Sequence, residues 1–301
     1  MIPQGQTIHL HVGGTTTGAE DQIVFLAANR SGLRRAGYGL ACFDPMGAAA
    51  NSQGDLLPAP GGTEADLAEA AARIAARIAP DRRAGATGLI LSMPDLAGPL
   101  PELLLGRFHP NARLRARALA MALGQPVDRL VLTIQPYDHL YRSTWLMLAA
   151  DRQMDPLADY APALAEARGG WTDLALALCE ELSVRELVVI EAAEQQVPTG
   201  TELLAALVPG LSLRQAVHPL SRPRLTTGAV ALLARCAAQG VKLAPGQRER
   251  LIALHARQPE PPAASAFTTG QAARMAIQYE RDRQTLQVAA PAQARQTVAA
   301  E

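Results

Sequence analysis

The sequence predicts an α/β fold: a parallel sheet flanked by helices, with a mostly helical C-terminal third. Three observations carry this expectation. Short apolar runs of strand length stand at Ile8–Val12, Tyr38–Phe43, Gly88–Met93, Leu130–Ile134 and Glu186–Ile190. Stretches with apolar residues at helical spacing separate them, the order that βαβ units and a parallel sheet require. Glycine- and proline-rich segments punctuate the junctions.

Taken in order, the first run alternates Ile8, Leu10 and Val12 with His9 and His11, then passes through Gly13–Gly18 into a helix expected from Asp21 to Ala36 and stopped by Gly37. Tyr38–Phe43 is the second strand, and Asp44–Gly62 reads as a loop over the sheet. Thr63, Glu64 and Asp66 announce a helix with Leu67, Ala71, Ile74 and Ile78 on one face. Gly88–Met93 has the composition of a strand buried on both faces. An irregular stretch over Pro94–Pro110 leads to a helix at Ala112–Leu123, closed by Gly124. The strand at Leu130–Ile134 precedes a helix over Asp138–Ala150 with Asp138 as its N-cap, and Trp171–Leu182 with Glu186–Ile190 adds one more helix–strand pair.

Composition narrows the function. The chain has 301 residues, 49% hydrophobic and 19% charged, enough for a sizeable core and against global disorder. Lysine plus arginine and aspartate plus glutamate number 28 each, so there is no net charge and no basic block of the kind nucleic acid calls for. Lys242 is the only lysine. Cys42, Cys179 and Cys236 lack metal-ligand spacing and read as buried thiols of a reducing compartment. With neither a secretory leader pattern nor an apolar run of membrane-spanning length, a cytoplasmic protein without a membrane partner is expected. The expected organisation is one domain over residues 1–288, helical from about residue 199, and a polar tail at 289–301.

A strand, a Gly/Thr loop and a helix together form a phosphate cradle, because backbone N–H groups and the helix N-terminus attract an anion. Gly13 and Gly18 have the spacing of the P-loop glycines, but Ala19 and Glu20 stand where that pattern has lysine and a hydroxyl. The bland alternative is a tight turn with Thr17 as a helix cap and no ligand. Ligands of parallel sheets bind beyond the carboxyl ends of the strands, where Asp44, Asp95 and the loop residue His109 are the candidates for base or binding work. A solvated loop histidine is the alternative for His109. His9 and His11 are either a metal pair without a third ligand or satisfied sheet-edge histidines, and no metal is expected. Asp138, His139 and Ser143 share one helix, which by itself makes no triad. Trp145 and Trp171 read as packing residues.

The segment HVGGTTTGAEDQIVFLAANRSGLRRAGY resembles the N-terminal signature of bacterial sulfotransferase-like P-loop proteins. LILSMPDLAG, FHPNARLRARALAMAL and VLTIQPYDHLYRSTW continue the likeness, which spans Gln6 to Ile190. The resemblance implies a sulfuryl donor, PAPS, with Gly13, Gly14, Thr15, Thr16, Thr17 and Gly18 at its 5′-phosphate and with position 135 and Ser143 at its 3′-phosphate. It implies a small-molecule or glycan acceptor. The family's loop lysine falls on Thr16 and its 3′-phosphate arginine on Gln135, while Ser92 and Ser143 are kept and its acid after Ser92 is Pro94. Sulfuryl transfer builds negative charge on the leaving phosphate, which neutral side chains stabilise less than cations do. Arg34, Arg35, Arg142 and Lys242 are the cations that folding would have to bring in. Three readings stand: a sulfotransferase-like enzyme, a non-catalytic relative that binds or regulates, and an enzyme with another donor in the same cleft. The C-terminal Leu232, Leu233, Leu251 and Leu254 would cover the sheet or form a homodimer face.

Overall fold

The computed structural model describes residues 5–13, 16, 19–43, 56–59, 61–82, 85–152, 154–192, 197–213, 225–241, 243–256 and 266–289. Five strands, β1 (Thr7–Gly13), β2 (Tyr38–Cys42), β3 (Gly88–Ser92), β4 (Arg129–Ile134) and β5 (Glu186–Glu191), form one sheet in the order β2-β3-β1-β4-β5. Every pairing is parallel, with His11 beside Ser92 and Gly13 beside Thr133. The α/β expectation holds, and the helical C-terminal part is present.

Helices cover both faces, and buried apolar side chains of the sheet meet them on each side. On one face Ile8, Leu10, Val12, Leu91 and Leu132 pack against α3 (Glu64–Ile78), α5 (Ala112–Leu123) and α8 (Trp171–Glu181). On the other, Leu40, Ile90, Val131 and Val188 meet α1 (Ala19–Ala28), α2 (Arg30–Arg35) and α9 (Gly200–Leu207). Between β3 and β4 lie a 3₁₀ turn at Pro94–Ala97 and the short α4 (Leu100–Leu103), where the sequence suggested only irregular chain. After β4 come α6 (Tyr137–Asp151) and α7 (Leu157–Ala165), and the C-terminal part adds α10 (Thr227–Ala238), α11 (Pro245–Ala256) and α12 (Thr269–Ala289).

Several details correct the sequence reading. The helix expected over 21–36 is two helices that break at Asn29, where the backbone leaves helical geometry at φ −90°, ψ 5° and the side-chain amide donates to the Phe25 carbonyl at 2.9 Å. Asp138 lies inside the first turn of α6, whose N-cap is Pro136. His9 and His11 sit on β1, the central strand rather than an edge. Leu233 joins a small cluster with Leu146, Val230 and Ile252 on α6 and its neighbours, away from the sheet, while Leu254 is 62% exposed. No helix among the described residues is long and apolar enough to cross a membrane.

Candidate functional site

The connection leaving β1 runs to β2 on one side of the sheet, and the connection leaving β4 runs to β5 on the other. Since β1 and β4 are neighbours, the crevice beyond their carboxyl ends is the topological switch point, where parallel sheets bind ligands. Thr16 follows β1 and Gln135 follows β4. The Gln135 side-chain amide donates to Thr16 Oγ1 at 2.6 Å across this crevice. Positions that the family resemblance fills with lysine and arginine are here tied to each other by a neutral bond.

Gln135 is 6% exposed, and its carbonyl accepts the indole N–H of Trp171 at 2.9 Å. Gly13 ends β1 where a side chain has no room: a Cβ there would stand 2.7 Å from Thr133 Cβ and 3.4 Å from His11 Nε2. Beneath the loop, His11 Nδ1 is 3.0 Å from Ser92 Oγ, while its Nε2 and the Thr133 hydroxyl have no partner. Complete burial pushes the His11 imidazole down to about 3, so this floor is polar but uncharged at neutral pH. His9 is a different case. One of its ring nitrogens meets the Leu207 carbonyl at 2.7 Å and the other Thr7 Oγ1 at 3.0 Å, so both have protein partners. Among the described residues no group of three or more histidine, cysteine, aspartate or glutamate side chains could hold a metal ion.

On the opposite face of β1, a small pocket with room for little more than one water brings Gly13, Asp95, His109 and Trp171 together. His109 is not the solvated loop residue that its neighbours in sequence suggest. It is 8% exposed, sits at a φ of 46°, and packs its ring 4.7 Å from that of Phe108. Its Nδ1 has no partner, and burial pushes the ring down to about 4. Nearby, Arg115 forms a two-pronged pair with Glu102 at 2.9 and 2.7 Å and also donates to the Ala97 carbonyl. Burial raises the Glu102 carboxyl, but the hydrogen bonds and charge of Arg115 outweigh it and leave the group ionised. That arginine is committed to glutamate and is not an anion ligand.

The remaining candidates are not gathered in this way. The Ser143 hydroxyl donates back to the His139 carbonyl at 2.5 Å within α6, so its proton is used by its own helix. His139 Nε2 lies 3.8 Å from Asp138 Oδ2. Arg34 and Arg35 close α2 at the amino end of β2, the edge opposite the crevice. Gly14, Thr15, Thr17, Gly18, Asp44 and Lys242 lie outside the described residues, as does the side chain of Glu20. Trp171 and Tyr137 are site-supporting residues that sequence reading assigned to packing or passed over. A lone tryptophan after Gly-Gly carries no signal of the carbonyl it will reach.

The chain matches no family model, no curated protein and no solved structure.

Proposed function

We propose that this chain is a sulfotransferase-like α/β protein that keeps a ligand cleft at the β1/β4 switch point but has given up sulfuryl transfer, and so acts as a binding or regulatory protein. The observation that carries the reading is the 2.6 Å bond between Gln135 and Thr16. A PAPS site of the resembled type needs positive charge at both positions, and each neutral replacement gives up a charge-assisted bond of roughly twice the strength. Losing one donor that stabilises a developing anion raises a barrier by about 3 kcal/mol, and here two are replaced. Arg115 is held by Glu102, and Arg34 and Arg35 occupy the far edge, which leaves Arg142 on α6 as the described cation among those named from the sequence that could approach the cleft. A ligand with little negative charge suits such a cleft. Cys42, Cys179 and Cys236 are thiols rather than disulfides, which fits a cytoplasmic setting.

A second reading, sulfuryl transfer from PAPS to a small-molecule or glycan acceptor, draws on the pocket that sets Asp95 and His109 beside Gly13. Calorimetry with PAP, the desulfated product of PAPS, at low and moderate salt separates the two. The unmodified protein is expected not to bind at micromolar concentration, and the Thr16→Lys, Gln135→Arg double variant to gain salt-sensitive micromolar binding. Micromolar, salt-sensitive binding by the unmodified protein would favour the enzyme. Silence from every protein would remove the nucleotide from both readings.

A further inference from the structure

We propose that Asp282, on the C-terminal helix α12, is a positioning residue for the Thr16–Gln135 site, acting through a chain of buried hydrogen bonds. The proposal rests on reading that crevice as the functional one. Helix α8 starts at Trp171 behind Gly170, which has no side chain to cap it. Asp282 supplies the cap from another helix: Oδ2 accepts the Trp171 backbone N–H at 3.1 Å, and Oδ1 accepts the Thr172 hydroxyl at 2.8 Å. Its carboxylate, 8% exposed, also meets the positive end of the α8 dipole. Tyr137, the first residue of α6, completes the knot. Its hydroxyl accepts the Trp171 N–H at 2.8 Å and donates to Asp282 Oδ2. Glycine is required at position 170, since a Cβ there would lie 2.5 Å from both Asp282 Oδ2 and the Tyr137 hydroxyl.

Two arms lead from this knot to the crevice, and both end on Gln135. One is covalent, since Tyr137 follows Gln135 across Pro136. The other is the Trp171 indole, which donates to the Gln135 carbonyl at 2.9 Å. The Tyr137 and Trp171 rings stack with centroids 6.3 Å apart, and Phe108 stands edge-on to both, so neither arm shifts alone. Gln135 then holds Thr16. The last described helix of the chain therefore sets the place of a residue on its first loop, and packed hydrogen-bonded chains of this kind carry coupling between distant sites.

Hydrogen–deuterium exchange on the full chain tests this without any ligand, so its result is independent of the PAP titration. In Asp282→Asn, and in Tyr137→Phe, which keeps the ring and removes only the hydroxyl, amide exchange is expected to rise roughly tenfold in the peptides spanning the β1–α1 junction and Gln135, the size of losing one buried hydrogen bond from a local opening. Peptides of β2 and α3 should not change. A rise confined to α8 and α12, or one spread evenly over the chain, would reduce Asp282 to a structural cap and overturn the proposal.

Discussion

His11 and His109 are held neutral by burial, and their chemistry therefore appears as a pH dependence of stability. Their imidazoles are pushed from 6.5 down to about 3 and about 4. The unfolded chain consequently binds more protons than the folded one below pH 6.5, and stability falls as pH drops towards those folded values. The slope approaches about 1.4 kcal/mol per pH unit for each histidine while only the unfolded state is protonated. Denaturant unfolding between about pH 7 and about pH 5 measures it, and His109→Gln should remove one histidine's share of the slope. A profile that stays flat would mean that water reaches both rings. Both histidines were visible in the sequence, but their environments were not. His109 looks like a solvated loop residue because its neighbours Pro110 and Asn111 are turn formers, and only the fold places Phe108 and Trp171 over it.

At the scale of elements, local signals read well where the interaction is local. Thr63 caps α3 through a reciprocal box: its hydroxyl oxygen accepts the Asp66 N–H at 3.3 Å, and the Asp66 carboxylate accepts the Thr63 N–H at 2.7 Å. These bonds from Thr63 hold the Asp66 carboxyl below its ordinary value. Thr63→Ala is expected to cost about 1 kcal/mol in urea unfolding, and Thr63→Ser close to nothing. An equal loss for serine would assign the effect to the threonine methyl group. Thr199 and Glu202 repeat the device at α9. The break at Asn29 escaped the pattern, because apolar periodicity continues across it while the Asn29 backbone turns to φ −90°, ψ 5°. The Asp138 cap failed for a related reason. The Pro136 ring already pre-sets the backbone at the cap position, and Asp138 falls two residues too late.

At the scale of the whole molecule, the question is whether the C-terminal helices fold with the sheet. Met275 and Leu286 of α12 are buried in the main core, and α12 packs on α6, α7, α8 and β5. From that continuity α12 is expected to unfold together with the sheet. Met275→Ala and Leu286→Ala are each expected to cost about 2–4 kcal/mol. Unfolding followed by tryptophan fluorescence and by helical circular dichroism should then stay coincident. Two separated transitions would make α12 an independent unit. The exposed contacts from Arg283 and Gln287 to Glu191 add little to this attachment.

By itself the sequence determined the α/β class, the place of each strand within a residue or two, and the cap at Thr63. These depend on period, turn chemistry and capping, which act over a few neighbouring residues. Only the tertiary structure decided that β1 lies at the centre, that Thr16 meets Gln135, that His109 is buried, and that Asp282 caps α8. Each of these joins segments that are far apart in the chain or depends on which strands become neighbours, and side-chain pattern is the same whichever neighbour a strand acquires.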